Sequence, residues 1–386
     1  MKSLISPAAR LLAKTLLLFS LFILCHFTTS AQTGVYTFGD PNVNEGGRVL
    51  LDDPINQRLY IGGYRNDSTL ILMVDYNGNL LNEVCFKLNT AGGTREFLTD
   101  MKLDASRTHL IGCGVISYTT TTSYGGYAFS MSPGLGTMIW TRVFPASQGV
   151  TSFAPFSIHD SDPNGLEFRL TGANYPNENG AYMRLSKLTG LPFPGGNRDY
   201  DLVYSEALYS STLVPYSYLF AAGRVSHYMS PAGYRPGNLK LDALNGSILA
   251  QKSYLRPLIG VTSTLQAQDI ALTGNIDTSQ VTVGYGNVID TSQTNIHAFW
   301  TKHNFNSQQT SGYQIRFPGM FGWEAGREVM RDLNASAESY IVLGEGKRPP
   351  VNVNANADDL WLMSMTTSGT TNWAYRFGGT NLDFLK

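Results

Sequence analysis

A short apolar run that closes on glycine recurs six times along this chain, and it constrains the fold more than any other feature. Successive copies begin roughly 50 to 60 residues apart, with connecting loops of varying length. Self-similarity at a period of this size indicates a chain built from repeated supersecondary units. The copies are RLYIGGY from Arg58, THLIGCG from Thr108, EFRLTGA from Glu167, YLFAAGR from Tyr218, VTVGYGN from Val281 and YIVLGEG from Tyr340.

Each copy is accompanied by one apolar run before it and two after it. In the last unit these are GREVMRDLNAS, then LWLMSMTTSG and TNWAYRF. Runs rich in β-branched and aromatic residues, bounded by Gly, Asn and Ser, indicate antiparallel strands. A four-stranded sheet with two apolar faces is unstable alone in water, and radial stacking buries both faces. The sequence therefore predicts an all-β chain, a β-propeller of six four-stranded blades. Paired β-sandwiches would not repeat their strands in this order.

Two kinds of residue have predicted packing roles in the repeat. The glycine of each copy indicates a place where the chain crowds near the channel or turns sharply. Trp140 and Trp373 occupy matching positions in their units and are predicted to pack between blades.

The first 31 residues predict a secretory signal peptide. Lys2, Arg10 and Lys14 give a basic start, residues 16–27 are largely apolar, and small residues end at Ala31. A membrane anchor is the alternative, but this run is shorter than the roughly 20 residues that a bilayer span needs. We therefore predict a signal peptide at 1–31, a β-propeller domain at 32–386, and an extracellular or cell-surface location.

The two ends of the chain bear on how the ring closes. Residues 35–39, VYTFG, resemble the last strand of a unit, as in AYRFGG at residues 374–379. Propellers commonly close by pairing a strand from one terminus into a blade built from the other. The arrangement favours a seventh blade beyond Lys386, and a six-bladed ring with an additional edge strand is the alternative.

Charge and cysteine content narrow the classes of partner and of fold. Removing residues 1–31 takes away three basic residues and no acidic one, which leaves 25 Lys and Arg against 29 Asp and Glu. Without a basic stripe, nucleic acid is not an expected partner. Two cysteines remain, Cys85 and Cys113, on strands of neighbouring repeats. They predict either one disulfide or two buried thiols, and the sequence leaves both open.

The stretch DLWLMSMTTSGTTNWAYRFGG resembles the repeat of secreted bacterial β-propeller proteins common in Bacteroidetes. In that resemblance Asp359 opens a strand, Gly369 turns the hairpin, Trp373 packs between blades and residues 377–379 end the unit. KLDALNGSILAQ at residues 240–251 is similar to the quinoprotein-type repeat, except that no Trp stands near Gln251. The resemblance implies cell-surface delivery, with the chain as the N-terminal portion of a type IX-secreted protein, and implies no substrate.

One loop has the spacing of a metal site. In HDSDPNGLEF, Asp160, Asp162 and Asn164 alternate and Gly165 follows, as in loops that bind calcium through oxygen ligands. The pattern then fails, because Phe168 stands where an acidic ligand is expected. An ordinary β-turn is the favoured interpretation, calcium is the alternative, and no other cofactor is predicted.

No catalytic motif stands out along the chain. The histidines are scattered and predicted to lie at the surface or at blade edges, and neither a G-x-S-x-G nor an H-E-x-x-H motif occurs. Loop aromatics that could line a glycan or protein site are Tyr118, Tyr124, Tyr228, Tyr234 and Trp323. We therefore predict a monomeric binding or scaffold module for a protein or glycan. The alternative is an extracellular propeller enzyme, quinoprotein-like or glycan-cleaving, with residues drawn from several blades.

Overall fold

A computed structural model describes residues 43–88, 93–118, 124–144, 152–160, 165–175, 179–200, 207–214, 218–226, 234–253, 265–272, 279–290, 293–304, 310–315, 324–332, 337–347, 358–366 and 368–377. Within these ranges the chain forms six four-stranded antiparallel sheets and no helix. The predicted all-β propeller with six repeats is confirmed. The signal peptide predicted at 1–31 and the terminal strand predicted at 35–39 lie outside the described residues, and the seventh blade stays a prediction.

The sheets are consecutive blades. Blade 1 contains β1 (Glu45–Asp53), β2 (Arg58–Arg65), β3 (Ser68–Asp75) and β4 (Leu80–Phe86). Blade 2 contains β5 (Gly93–Leu103), β6 (Leu110–Tyr118), β7 (Tyr124–Met131) and β8 (Met138–Phe144). Blade 3 contains β9 (Ser152–Asp160), β10 (Glu167–Tyr175), β11 (Asn179–Ser186) and β12 (Arg198–Tyr200).

The second half of the ring repeats this order. Blade 4 contains β13 (Ala207–Val214), β14 (Tyr218–Ser226), β15 (Tyr234–Asp242) and β16 (Ile248–Ser253). Blade 5 contains β17 (Leu265–Leu272), β18 (Ser279–Asp290), β19 (Gln293–Asn304) and β20 (Thr310–Ile315). Blade 6 contains β21 (Glu324–Asp332), β22 (Ser339–Lys347), β23 (Asp358–Thr366) and β24 (Thr371–Phe377).

The first strand of each blade faces the centre of the ring. In every sheet the strands pair in chain order, so the first and fourth strands are its two edges. The first strands of blades 1 to 6 contact one another in succession, and all six line a central channel. We call β1, β5, β9, β13, β17 and β21 the inner strands.

The apolar core lies between neighbouring blades. Trp361 of blade 6 is fully buried in a cluster with Val283 of blade 5. Trp140 of blade 2 packs against Phe168 of blade 3, with ring centroids 6.1 Å apart, and its indole N–H donates to the carbonyl of Lys187 at 2.7 Å. The predicted packing of Trp140 between blades is confirmed, and stacking buries both faces of a blade as expected.

The structure also tests the predictions for Trp373 and the two cysteines. Trp373 is half-buried, and its ring centroid lies 5.4 Å from that of Tyr375 on the same strand. Cys85 and Cys113 are both free thiols, so the disulfide alternative is wrong. Cys113 is buried, whereas Cys85 is exposed on an outer strand. The alternative prediction of two buried thiols is therefore correct for Cys113 and wrong for Cys85.

Every inner strand carries a β-bulge at the same position. The pairing with the second strand skips one residue between positions such as Gly47 and Val49 in blade 1, or Leu208 and Ser210 in blade 4. A bulge bends the strand and leaves one residue without a partner in the ladder. We call the six unpaired residues the bulge ring: Arg48, Thr99, Phe156, Tyr209, Gln268 and Arg327.

The recurrent glycines of the sequence lie opposite these bulges. In all six blades the recurrent glycine pairs with the residue just before the bulged one; these glycines are Gly63, Gly114, Gly172, Gly223, Gly284 and Gly344. A Cβ built on Gly223 would lie 1.7 Å from the carbonyl oxygen of Ala207, and one on Gly172 would lie 2.1 Å from that of Ala154. The prediction of crowding is confirmed. The strands continue past the glycine, however, and do not turn there.

Candidate functional site

The central channel holds two cavities that meet at the bulge ring. One cavity, of about 670 Å³, lies toward the ends of the inner strands and is lined by Lys102 and Asp160 among others. The other, of about 1030 Å³, lies where the inner strands begin and includes Gly47 and Phe97. We call the first the inner chamber and the second the mouth. All six residues of the bulge ring line both cavities.

The mouth combines aromatic rings with arginines. Its aromatic residues include Phe156 and Tyr209, whose ring centroids are 5.3 Å apart, and Tyr124 and Tyr175, whose centroids are 5.1 Å apart. Concave sites lined by aromatic side chains with a few placed polar groups are typical of ligand pockets. The three mouth arginines are Arg48, Arg224 and Arg327.

Each mouth arginine lies over an aromatic ring. The guanidinium carbon is 4.9 Å from the ring centre of Phe97 for Arg48, and 4.9 Å from that of Tyr285 for Arg327. For Arg224 the distance to the ring centre of Tyr209 is 5.8 Å. Cations at this range are attracted to the faces of aromatic rings. The rings therefore fix guanidinium groups around the mouth.

The position after the bulge in the chain places polar groups in the inner chamber. Asp100 of blade 2 accepts hydrogen bonds from Ser157 Oγ and from the Ile158 backbone N–H of blade 3, both at 2.9 Å. Lys102 Nζ lies 2.6 Å from the same carboxylate. Burial alone would raise the pKa of Asp100, but the Lys102 charge and these hydrogen bonds outweigh it and lower the pKa.

Asp269 of blade 5 repeats this arrangement with a different charge balance. Its carboxylate accepts from Ser210 Oγ of blade 4 at 2.6 Å and from the Val329 backbone N–H of blade 6 at 2.8 Å. Burial raises the pKa of Asp269, because these neutral donors offset the loss of water only in part. The two aspartates thus join neighbouring blades from within the channel.

Glu328 is the third acid at the position after a bulge, and it has no hydrogen-bond or ion-pair partner within the part of the chain that the structure describes. Its side chain is exposed to the channel, but protein atoms of the channel wall shield it in part from bulk water. This loss of bulk water, together with the negative charges of Asp269 and Asp100, raises the pKa of Glu328 to about 7. A carboxyl group that titrates near neutral pH is typical of functional sites.

Glu328 makes stability depend on pH in a direction opposite to that of most carboxyl groups. Its pKa rises from 4.5 to about 7 on folding, so the folded protein holds a proton that the unfolded chain has lost. The stabilisation is complete below about pH 4.5 and is lost as the pH rises through about 7. We expect Glu328→Gln to stabilise the protein at pH 8 by about 1 kcal/mol, screened by channel water, and to change little at pH 4.

Urea unfolding of wild type and Glu328→Gln at both pH values measures this difference. Asp199→Asn, on an exposed outer strand, is the control for a lost surface charge. Parallel pH profiles for wild type and Glu328→Gln would contradict the prediction.

Buried polar side chains extend from the inner chamber between blades 3 and 4. His159 Nε2 is hydrogen-bonded to Ser211 Oγ at 2.8 Å and to Ser157 Oγ at 3.2 Å, and Ser211 reaches Thr171 Oγ1 at 2.8 Å. Burial and the nearby Lys102 charge lower the pKa of His159 to about 3, so the imidazole is neutral at physiological pH. The prediction of a surface or blade-edge position is wrong for His159. It is also wrong for His303, which is fully buried in blade 5.

Of the three candidate ligands of the predicted calcium loop, the structure describes only Asp160. Asp160 ends β9, accepts a hydrogen bond from the Ala105 backbone N–H at 2.8 Å and forms an ion pair with Lys187. Asp162 and Asn164 lie outside the described residues. In the described part of the chain, no three His, Cys, Asp or Glu side chains converge in a way that could hold a metal ion. The calcium alternative stays a prediction.

The loop aromatics singled out in the sequence have different positions. Tyr124 lines the mouth, whereas Tyr118 packs against the core between blades 1 and 2. Tyr228 and Trp323, and the side chain of Tyr234, lie outside what the structure describes. Sequence reasoning missed the mouth arginines and the chamber acids. Their signal is position alone: Arg224 directly follows a recurrent glycine, and the others stand in the run that precedes one.

Among the described residues no helix is long and apolar enough to cross a membrane. No protein-family model matches the chain, and no curated protein shows significant similarity to it.

Solved structures resemble the chain at the level of fold. A protein from Lactobacillus plantarum is 15% identical over 89% of this chain and 87% of its own, with a TM-score of 0.52. The β-propeller domain of Nup133 from Vanderwaltozyma polyspora is 10% identical over 89% of this chain and 92% of its own, with a TM-score of 0.49. The Dos1 propeller is 10% identical over 88% and 80%, with a TM-score of 0.47. The first of these supports the propeller fold.

Proposed function

We propose that this chain is a secreted or cell-surface binding module that takes up a protein or glycan ligand at the mouth of its channel. The observation that carries the proposal is the mouth itself, a concave cavity of about 1030 Å³ with aromatic and arginine side chains from several blades. Propellers commonly serve as scaffolds or binding modules, and pockets of this make-up are the usual places for ligands.

The proposed location rests on the sequence. Residues 1–31 have the basic, apolar and small-residue order of a signal peptide, and the last unit resembles repeats of secreted Bacteroidetes propellers delivered by type IX secretion. A net charge of −1 for the whole chain gives no general attraction to nucleic acid. We propose a monomer that meets its ligand outside the cell.

A second candidate function, cleavage of a glycan, is favoured by the acids of the inner chamber. The pKa of Glu328 is raised to about 7, whereas that of Asp100 is lowered, and both face the same cavity. A carboxyl group that keeps its proton beside one that is ionised is the pairing that glycoside hydrolysis uses. In this candidate function Glu328 donates the proton to the leaving oxygen.

Removal of mouth aromatics tests the binding function. The full chain is titrated against a panel of oligosaccharides and against purified envelope proteins, and the best ligand is compared across variants. We expect Tyr209→Ala and Phe156→Ala each to lower affinity about 30-fold, because truncation of a central aromatic contact costs about 2 kcal/mol. Tyr375→Ala, which removes an exposed ring from an outer strand, serves as the control.

Chromatography of the same mixtures separates binding from catalysis. Intact ligand after long incubation supports the binding function, whereas shortened products that disappear with Glu328→Gln support cleavage. A ligand whose affinity is the same for wild type, Tyr209→Ala and Phe156→Ala would contradict the assignment of the mouth.

A further inference from the structure

Arg48 is a cation at the mouth that has no acidic partner in the part of the chain that the structure describes. It is the bulged residue of β1, its side chain is exposed to the channel, and its guanidinium carbon lies 4.9 Å from the ring centre of Phe97. Among the described residues it forms no ion pair and no side-chain hydrogen bond. By contrast, the bulged arginine of blade 6, Arg327, donates to Glu345 at 2.7 Å. Arg48 is therefore the bulge-ring arginine whose charge is left for a ligand.

Further positive charges surround Arg48. Arg95 of blade 2 lies over the same Phe97 ring, at 5.5 Å from its centre, and over Tyr64 at 5.5 Å. Although its side chain is exposed to the channel, the surrounding protein atoms shield Arg48 in part from bulk water and lower its pKa, and repulsion from Arg327 and Arg95 adds to this effect. An arginine stays charged at neutral pH despite such a shift, so the repulsion persists in the free protein. An anion bound here would relieve it.

The inner strands disfavour an extended peptide as the source of that anion. Peptides often bind by adding a strand to a free sheet edge through backbone hydrogen bonds. Each inner strand is an edge strand that faces the channel, but its bulge interrupts the edge, as at Tyr209 in blade 4 and Phe156 in blade 3. The same bulges present aromatic rings to the mouth, and flat rings suit the apolar faces of sugars.

We propose that the ligand of the mouth is an acidic oligosaccharide, with its anionic group held by Arg48 and its sugar rings against Tyr209 and Phe156. The anionic group is a uronate carboxylate or a sulfate ester, since both match the two-pronged donor geometry of a guanidinium. This inference rests on the proposed binding function and specifies its ligand class.

Titration with four ligands tests whether the mouth requires an anionic sugar. The full chain is titrated calorimetrically with a tetramer of galacturonic acid, with the fully methyl-esterified tetramer, with a sulfated neutral tetramer and with a glutamate tetrapeptide. We expect one of the two acidic sugars to bind about tenfold or more tightly than the ester, because hydrogen bonds to a charged group are among the stronger ones. The identity of the tighter acidic sugar distinguishes carboxylate from sulfate.

Substitution of Arg48 connects this preference to the site. Arg48→Gln is expected to lower the affinity for the acidic sugar about tenfold or more and the affinity for the ester by much less, so that the preference for the acid is lost. Arg142→Gln, on outer strand β8, removes a like charge away from the channel and serves as the control. Arg48→Lys is expected to retain part of the preference, because a lysine keeps the charge but loses the paired donors.

The results separate this inference from the function on which it rests. If the acid and the ester bind equally, or if Arg48→Gln leaves the preference intact, the proposed acidic ligand class is wrong. In either case the mouth is still the binding site if Tyr209→Ala weakens binding of the ligand. Tighter binding of the glutamate peptide than of either acidic sugar would also overturn it. If Tyr209→Ala and Phe156→Ala change nothing, the proposed function itself fails.

Discussion

Gly223→Ala should destabilise the propeller by about 3 kcal/mol, because the new methyl group would overlap backbone atoms. A Cβ at this position would lie 1.7 Å from the carbonyl oxygen of Ala207 and 2.8 Å from its carbonyl carbon. A flexible side chain could rotate away, but these atoms belong to the bulged inner strand. They can retreat only if the pairing of β13 with β14 changes. The backbone of Gly223 has no positive φ, so the contact itself is the cause.

The matched control is Gly136→Ala, in a turn of blade 2. A Cβ there has no atom within 4 Å, and the backbone again has no positive φ. We expect no loss of stability, or a small gain from a less flexible unfolded chain. Urea unfolding followed by circular dichroism gives both free energies. Equal unfolding midpoints for the two variants would show that the bulge does not impose the glycine.

The glycine that recurs in the sequence is therefore a record of the bulge on the neighbouring strand. Because the same crowding recurs in six blades, glycine stands at six equivalent places in the sequence and reveals the period of the repeat. The apolar runs around each glycine then predict the four strands and the fold class. The bulged residue itself leaves no such record. Its side chain projects into an open channel and varies from Arg48 to Thr99, Phe156 and Gln268. A position that tolerates such different side chains has no sequence pattern.

The charged residues of the channel could not be predicted from the sequence for a related reason. Asp100 and Asp269 occupy equivalent positions in blades 2 and 5, but the residues between them in the ring are Ser157 and Ser210. No spacing motif connects side chains that lie more than a hundred residues apart. Only closure of the ring brings them together, so the local sequence predicts the blades but not the content of the channel.

Asp100→Ala should cost about 3 kcal/mol of unfolding free energy. The carboxylate holds the Ile158 backbone N–H of the next blade at 2.9 Å and the Lys102 ammonium at 2.6 Å. Its removal leaves a buried N–H without an acceptor and a partly buried cation without its partner, and each loss is destabilising. Asp269→Asn should cost about 1 kcal/mol, because the raised pKa of Asp269 shows that its environment disfavours the ion.

Urea unfolding at pH 7 ranks the two variants, with the exposed Asp199→Asn as the reference for a lost surface charge. The ranking separates structural from functional charges in the channel. Asp100 joins blades and has its full set of partners, so its loss should lower stability. Arg48 has no such partner among the described residues, so its loss should leave stability unchanged and lower ligand affinity. If Asp100→Ala melts like wild type, the inner chamber is not where the blades are held together, and Asp100 would become a candidate ligand contact like Arg48.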